Sequence, residues 1–332
     1  MSQHINGELW LDTEGNPIHA HGGHMLRHGD YVYWYGEDRR GDIYVSCYRS
    51  KNFTDWEFRR HILTKRSPAA PYYVRTDLSL EAREGIPNPS TAINVGNAAD
   101  RKVNIERPKV LYCTETGKFV LWAHWENGVN YRDARICIAD CDTPDGEFVY
   151  RGSFNPYGYM SRDCTLFTDD DGRSYFISAA RDNADLIIYR LSRDCMTVEK
   201  VVNVLWQGQY REAPQLFKRN GRYWLLTSEC TGWAPNQGGY SCADSLDGEW
   251  EPIRPFGDST TYRSQGAFIV TPGIRGCGRG CECGACDDYV YFGDRWGGKG
   301  DAYFTSGYVA LRLAFGGDGK SLTMDWDEKP AL

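Results

Sequence analysis

Four polar side chains occupy the same position in a repeated sequence pattern. Glu106, Asp163, Glu212 and Gln265 each stand just ahead of a strand-like run, which is followed by a turn and a second aromatic strand. Two carboxyl groups held across a pocket can act as general acid and general base on a glycosidic bond. The acid must stay protonated near neutral pH, which requires burial or a neighbouring carboxylate. Glu212, followed by apolar residues and with Asp163 expected to flank it, is the best candidate for the acid.

The repeat that carries these residues has a period of about fifty residues, which is typical of a β-propeller. A fifth unit near the N-terminus, AHGGHML followed by YVYWYGE, repeats the scheme without an acid at the matching position. Because the first strand of every propeller blade lines the central channel, the four polar positions are expected to meet at one mouth. The sequence therefore predicts an all-β fold, a single five-bladed β-propeller over residues 1–332 with an insertion at 64–104. The predicted blades are about 17–60, 104–155, 160–205, 208–255 and 264–326.

The composition is that of a soluble globular protein. The 332 residues are 41% hydrophobic and 25% charged, which is ordinary for a folded chain. A net charge of −7 without a Lys/Arg cluster argues against a nucleic-acid partner. No apolar stretch approaches the ~20 residues of a membrane span, so no membrane partner is expected. The start, MSQHINGELWLD, lacks the features of a signal peptide, so we expect a cytoplasmic protein, although a secreted protein that has lost its leader would look the same.

The three acids also have a purely structural explanation. An arginine adjoins each of them in the sequence, namely Arg107, Arg162 and Arg211. Each acid could therefore simply neutralise its neighbour. Three acids at corresponding positions of one mouth are less easily explained in this way, so a catalytic site is the favoured interpretation.

Several motifs of the chain resemble those of a known enzyme family. AHGGHML…YVYWYGE, NIERPKV, SRDCTLF, REAPQLF and SQGAF are similar to motifs of glycoside hydrolase family 43, and most of all to its subfamily 24, the exo-β-1,3-galactanases. The likeness covers nearly the whole chain. The family consists of inverting five-bladed propellers with an Asp base in the first blade, an Asp that modulates the acid's pKa in the third and a Glu acid in the fourth. The resemblance implies that Asp163 is the modulator and Glu212 the acid.

The first blade departs from the general family pattern, because HGGH at 21–24 stands where the base Asp belongs. The galactanase subfamily shares this absence, and there a glutamine is thought to position the water, as the amide or its imidic tautomer. The resemblance implies that role for Gln265 and an assisting role for Glu106. A neutral amide is a poor base, so Gln265 needs a helper, for which Glu106 and His21 are conceivable. The alternatives are that Gln265 is a structural amide and that His21 and His24 cap backbone groups.

Further sugar contacts are expected near the same mouth. Arg107 and Glu106 could bind sugar hydroxyls, since a planar guanidinium suits bidentate recognition. Glu37 could bind a hydroxyl or be a rim charge, and Trp125 could stack on a sugar or pack in the core. The resemblance implies a contact from Asn183, and the irregular loop CTGWAPN is expected to line the pocket. The expected substrate-binding residues are Glu37, Arg107, Trp125, Asn183, Thr231, Gly232 and Trp233.

Four of the twelve cysteines crowd into one glycine-rich stretch, GIRGCGRGCECGACDD. Their spacing departs from the paired Cys-x2-Cys of common zinc sites. A structural metal ion, loop disulfides and free thiols are all compatible with it, and no cofactor is expected to be required. The four residues are Cys277, Cys281, Cys283 and Cys286.

The expected function follows from the resemblance together with these residues. It is an inverting, exo-acting glycoside hydrolase that releases galactose from β-1,3-linked galactan or galacto-oligosaccharides. An arabinofuranosidase, xylosidase or β-galactosidase of the same family is one alternative. A catalytically silent sugar-binding propeller is the alternative from another class, because the first-blade base is absent. Retention of Glu212 and Asp163 argues against silence, since a binder gains nothing from an acid with a raised pKa.

Overall fold

A computed structural model describes residues 4–70, 102–276 and 287–332. These residues form five four-stranded sheets, and consecutive strands pair antiparallel within each sheet. Each sheet is therefore a meander that follows the chain order, and the five meanders are the blades of a β-propeller. The predicted all-β, five-bladed fold is confirmed. No helix within the described ranges is long and apolar enough to cross a membrane.

In the first three blades the strands run in chain order. The first blade contains β1 (His21–His28), β2 (Tyr31–Glu37), β3 (Ile43–Ser50) and β4 (Glu57–Thr64). The second contains β5 (Asn104–Cys113), β6 (Lys118–Glu126), β7 (Arg135–Cys141) and β8 (Val149–Phe154). The third contains β9 (Cys164–Thr168), β10 (Ser174–Ala180), β11 (Asp185–Leu191) and β12 (Val198–Leu205).

The last two blades follow the same order. The fourth contains β13 (Arg211–Arg219), β14 (Arg222–Glu229), β15 (Gly238–Ala243) and β16 (Arg254–Phe256). The fifth contains β17 (Gln265–Val270), β18 (Tyr289–Arg295), β19 (Gly307–Phe315) and β20 (Leu322–Met324). Three short 3-10 turns occur in the described connections, at Pro156–Gly158, Thr261–Arg263 and Gly300–Thr305.

The strands and turns form for local reasons that the sequence shows. β2 and β18 are runs of aromatic and β-branched residues, which pack well on a pleated sheet. The β13–β14 turn is Asn220-Gly221, with φ of 51° and 79°. Two positive φ angles in a two-residue hairpin give a turn whose twist matches the strands, and Asn and Gly tolerate them.

The hydrophobic core lies between the blades. Five clusters of buried side chains are each shared by two neighbouring sheets. The cluster between the first and fifth blades contains Trp34 and Phe292, whose ring centroids lie 5.2 Å apart. Each blade is thus held on both faces, and the ring of contacts fixes the inner strands around the channel.

The inner strand of four blades carries a β-bulge just after its first residues. The pairing register shifts after His21, Glu106, Glu212 and Gly266. In the first three cases the next residue has a positive φ, namely 56° at Gly22, 54° at Arg107 and 52° at Ala213. A bulge re-aims the neighbouring side chains, so this repeated irregularity sets what faces the channel mouth.

The described part of the predicted insertion is its two ends. Ala69 forms a parallel bridge with Tyr150 of β8, which anchors the start of this segment on the second blade. Residues 71–101 lie outside the described residues. The observed sheets span 21–64, 104–154, 164–205, 211–256 and 265–324.

Candidate active site

The channel mouth where the inner strands begin holds a cavity of about 280 Å³. All but two of the expected site residues line it, namely Glu37, Glu106, Arg107, Asp163, Asn183, Glu212, Gly232, Trp233 and Gln265. The other end of the channel holds a separate, larger cavity lined by the ends of the same strands. Lys109 and Gln215, both buried, lie on the inner strands between the two. The mouth is therefore a pocket with a closed inner end.

Glu212 has the ionisation expected of a general acid. Burial, and then the charge of Asp163, raise the pKa of Glu212 to about 7. Its Oε1 accepts a hydrogen bond from Gln265 Nε2 at 2.9 Å, and its Oε2 accepts one from Asn183 Nδ2 at 3.1 Å. It forms no ion pair with any described arginine or lysine. A carboxyl group in this state keeps its proton up to neutral pH and can give it to a leaving group.

Asp163 is tied to both the acid strand and the pocket floor. Its Oδ2 accepts a hydrogen bond from the Ala213 backbone N–H at 3.1 Å and lies 3.1 Å from Arg107 Nε. Ala213 follows Glu212 and has the positive φ of the bulge, which turns its N–H toward Asp163. The bulge thus brings the Asp163 charge next to the acid whose pKa it raises.

Gln265 is saturated with hydrogen bonds. Its Nε2 donates to Glu212 and to Ser228 Oγ, each at 2.9 Å. Its Oε1 accepts from Trp296 Nε1 at 2.9 Å and from Arg107. Both partners of the oxygen are donors only, so the orientation of the amide is fixed. Neither N–H nor lone pair is left for a water in this arrangement.

Arg107 is a structural part of the pocket floor. Besides Asp163 and Gln265, its guanidinium donates to the Gly266 backbone carbonyl at 2.5 Å, and its side chain is 6% exposed. The guanidinium of Arg107, which was expected to bind sugar hydroxyls, is therefore bound to three groups of the protein itself. It keeps Asp163 and Gln265 in fixed positions around Glu212.

A chain of alternating charges forms the opposite wall of the pocket. Arg39 Nη2 lies 3.2 Å from Glu37 and 2.9 Å from Glu106, and His124 lies 3.4 Å from Glu106 and 2.9 Å from Glu126. Burial opposes the charge on His124, but its bonds to the two glutamates raise its pKa to about 9. Burial likewise opposes the charge on Glu106, but His124 and Arg39 hold its pKa at about 2. Burial raises the pKa of Glu37.

Two expected substrate contacts, Trp125 and Thr231, do not line the cavity. Trp125 is 1% exposed and packs in the core between the first and second blades. Successive strand residues point to opposite faces, so His124 and Glu126 take the pocket side and Trp125 the core side. Thr231 does not line the cavity; its Oγ accepts from Asn236 Nδ2 at 2.7 Å and donates to Ala234 O, which shapes the rim loop.

The first-blade histidines are buried and engaged elsewhere. His21 is fully buried, and its Nδ1 lies 2.9 Å from Asp294, which also accepts from the Gly22 N–H. Burial, and then the charge of Lys109, lower the pKa of His24 to about 3, and His24 lines the cavity at the far end of the channel. Neither ring lines the catalytic pocket.

The neutralisation of neighbouring arginines does not explain the acids. Arg107 pairs with Asp163 at 3.1 Å, Arg162 with Asp182 at 2.7 Å, and Arg211 with Glu229 at 3.6 Å. No arginine pairs with the acid that adjoins it in the sequence.

Several pocket residues were missed by the sequence reasoning. They are Arg39, His124, Tyr131, Arg162 and Trp296. His124 had a signal, since it stands two residues from Glu126 and shares its face of β6. Arg39, Tyr131 and Trp296 lie beyond strand ends, where no periodicity tells which side chain turns inward.

No group of three or more metal-binding side chains occurs in the described ranges. The cysteines at 277, 281, 283 and 286, considered for a structural metal, lie outside the described residues. Cys230, in contrast, lies at the pocket rim, where its thiol donates to the Tyr210 carbonyl at 3.3 Å.

A pocket that holds a carboxyl group of raised pKa beside a second carboxylate suits the hydrolysis of glycosidic bonds. Comparisons with known proteins agree. A family model described as Glycosyl hydrolases family 43 matches residues 109–267. A solved exo-β-1,3-galactanase from Clostridium thermocellum is 42% identical, with a TM-score of 0.82, over 99% of this chain and 68% of that one.

The chain is also similar to two further glycosidases. A solved exo-β-1,3-galactanase from Phanerochaete chrysosporium with β-1,3-galactotriose is 30% identical, with a TM-score of 0.77, over 97% of this chain and 67% of that one. A β-D-galactofuranosidase from Aspergillus niger is 30% identical over 38% of this chain. The chain spans 24% and 34% of the lengths of two curated relatives that it matches. The chain belongs to glycoside hydrolase family 43.

Proposed function

We propose that the chain is an inverting, exo-acting hydrolase that releases galactose from β-1,3-linked galactan or galacto-oligosaccharides. The observation that carries the chemistry is Glu212, whose pKa of about 7 is set by burial and the Asp163 charge inside a closed pocket. The sugar and linkage are supported by the two exo-β-1,3-galactanases to which the chain is similar along almost its whole length.

Glu212 supplies the proton for departure of the leaving group. Its carboxyl proton passes to the glycosidic oxygen as the bond from that oxygen to the anomeric carbon breaks. Glu212 then carries the negative charge, which the N–H groups of Asn183 and Gln265 stabilise, since both already point at its oxygens. The acid is recovered when it takes up a proton from solvent.

Water attacks the opposite face of the sugar in an inverting reaction. We propose that Gln265 orients this water, which requires its Oε1 to exchange the Trp296 or the Arg107 hydrogen bond for the water. Glu106, with its pKa near 2, stays ionised and suits the acceptance of sugar hydroxyls. Glu37, whose pKa is raised by burial, is the stronger base of the two glutamates on this wall. In the proposed reaction Glu37 takes the proton of the water as its oxygen bonds to the anomeric carbon, and then releases that proton to solvent.

The shape of the pocket supports attack at a chain end. Its inner end is closed, and its volume of about 280 Å³ limits the bound portion to a terminal unit. Glu37 and Glu106 would contact the terminal sugar, and Trp233, 39% exposed on the rim, would contact the next unit. A cleft-binding enzyme that cuts within chains would need openings on two sides.

The direct test is product analysis with β-1,3-galactobiose and galactotriose. Galactose should be released one unit at a time, and its anomer should be inverted when followed by proton NMR. Glu212→Gln should lose hydrolysis by at least about a hundredfold and still bind galactotriose. Turnover of aryl arabinofuranosides or xylosides alone would show that the enzyme is an arabinofuranosidase or a xylosidase of the same family. Full activity of Glu212→Gln would reject the acid, and no turnover by the native protein would favour the sugar-binding alternative.

A further inference from the structure

A second cavity adjoins the catalytic pocket and is not used by the reaction proposed above. Its volume is about 230 Å³, close to the 280 Å³ of the catalytic pocket. The two cavities share walls formed by Gly232, Trp233, Gln265 and Trp296. The two cavities are therefore adjacent, and the second is large enough for a group similar in size to the one that the first can hold.

The charge of the second cavity differs from that of the first. The charged residues lining it are two arginines, Arg263 and Arg295, and its other described lining residues are neutral. Neither guanidinium forms an ion pair with a carboxylate of the described residues. The catalytic pocket, in contrast, is lined by four carboxyl groups as well as by arginines. The second cavity thus presents two arginines without an ion-pair partner among the described residues, beside a pocket lined by carboxyl groups.

Arg295 is held in place but only partly satisfied. Its Nη2 donates to the Tyr262 carbonyl at 2.8 Å, and its guanidinium lies 4.8 Å from the centre of the Trp326 ring. Its buried Nε has no hydrogen-bond partner. Burial, and then the charge of Arg263, lower the pKa of Arg295, while Glu8 and Asp258 act in the opposite direction from beyond ion-pair distance. An anion between the two arginines would relieve their repulsion.

The backbone that delivers Arg263 is strained and firmly braced. Residues 261–263 have φ of 51°, 54° and 61°, a left-handed conformation that costs free energy at every non-glycine residue. Asp258 Oδ1 accepts from the Tyr262 N–H at 2.6 Å, and Thr261 Oγ1 binds Asn236 O at 2.8 Å. A similar turn at 181–183 brings Asn183 to the acid Glu212.

We propose that this second cavity, the arginine pocket, binds an anionic substituent of the carbohydrate substrate, either the carboxylate of a uronosyl unit or a sulfate ester. A guanidinium matches the oxygens of both groups with two parallel hydrogen bonds. Asn236 and Ser264 on the same wall already donate to other protein groups, so the two arginines would supply the contacts to the anion. The inference depends on the proposed function only for the identity of the sugar bound in the neighbouring pocket.

The proposal is tested by binding, without turnover. Two pairs of ligands are compared, each a charged sugar and its neutral counterpart: methyl β-glucuronoside with methyl β-glucoside, and galactose 6-sulfate with galactose. Each ligand would be titrated into the native protein and into three variants, Arg263→Gln, Arg263→Lys and Arg66→Gln. At low salt the native protein should bind a charged ligand about tenfold more tightly than its neutral partner, a difference of about 1.4 kcal/mol. Arg263→Gln should abolish this preference, and Arg263→Lys should retain part of it. Arg66→Gln, which alters a side chain 88% exposed, should keep all of it.

The outcomes identify the anionic group and also separate the arginine pocket from the proposed hydrolase activity. Preference for the glucuronoside alone assigns a carboxylate, and preference for the sulfate alone assigns a sulfate ester. Equal affinity for charged and neutral ligands, or a preference that Arg263→Gln leaves intact, overturns the arginine pocket. Hydrolysis of neutral β-1,3-galactobiose tests the proposed function separately. A failure of the binding test therefore does not reject the hydrolase activity, and a failure of hydrolysis does not reject the arginine pocket.

Discussion

At the scale of single residues, the ionisation of Glu212 connects the structure to the pH dependence of the reaction. Burial is the larger cause of its raised pKa, and the charge of Asp163 is the next. The acid must be protonated to work, so activity should be present below pH 7 and lost as the pH rises through about 7.

Replacing Asp163 with Asn should move that loss of activity to lower pH. Without the Asp163 charge the pKa of Glu212 falls, so a smaller fraction of the acid is protonated at neutral pH. The alkaline limb of kcat/KM, measured from pH 4 to 9 on β-1,3-galactobiose, should shift toward acid. Asp244→Asn is the matched control, because Asp244 is 84% exposed and pairs with Arg222 outside the catalytic pocket. An alkaline limb at the native position in Asp163→Asn would contradict this account.

The sequence predicted the four catalytic candidates from their place at the beginning of inner strands. Glu106, Asp163, Glu212 and Gln265 could be aligned because every blade repeats the same order of strand and turn. The sequence could not predict that every hydrogen-bonding group of the Gln265 side chain has a partner. These bonds depend on Trp296, which follows the end of β18, and on Ser228, which pairs with Glu212 across β13 and β14.

At the scale of the strands, the repeated bulge positions the site. A regular inner strand would carry each side chain on alternating faces, but the positive φ of Ala213 shifts the alternation and turns its N–H to Asp163. Trp125 shows the opposite case. β6 has no irregularity in its pairing with β7, so simple alternation places Trp125 in the core, and the expected sugar contact fails for a reason that the sequence itself contained.

Substitution of Ala213 should separate backbone conformation from side-chain chemistry. Ala213→Val should lower kcat by at least about tenfold and reduce stability, because a β-branched residue tolerates positive φ poorly, at a cost of about 1–2 kcal/mol or more. Ala213→Gly keeps both the φ and the N–H that binds Asp163, so it should retain kcat within about threefold. Kinetics and thermal unfolding of the two variants provide the measurement. An equal loss of kcat in Ala213→Val and Ala213→Gly would show that the positive φ of residue 213 does not determine activity.

At the scale of the whole molecule, the propeller must hold its first and last blades together. The N-terminal segment lies across this junction. Trp10 is fully buried, and its ring lies 6.1 Å from that of Trp34 in the first blade and 5.6 Å from that of Phe292 in the fifth. Tyr308 of β19 exchanges backbone hydrogen bonds with Gly7 and Glu8. The sequence pattern predicted the blades but not this contact, because the segment before the first repeat has no counterpart in the others.

Asn6 should therefore contribute strongly to the stability of the closed ring. Its Nδ2 donates to Ala310 O at 3.2 Å and to Asp327 O at 2.9 Å, and its Oδ1 accepts from Ala310 N at 2.7 Å. Asn6→Ala removes the side-chain partners of the Ala310 N–H and the Asp327 carbonyl, while the Ala310 carbonyl keeps its bond from the Ala331 N–H. The free energy of unfolding should therefore fall by about 3 kcal/mol. Urea denaturation followed by tryptophan fluorescence measures the change. Asn16→Ala, at an exposed position of the same segment, should change it by less than about 0.5 kcal/mol. If the two variants unfold at the same urea concentration, the ring is closed by the blade-to-blade core alone.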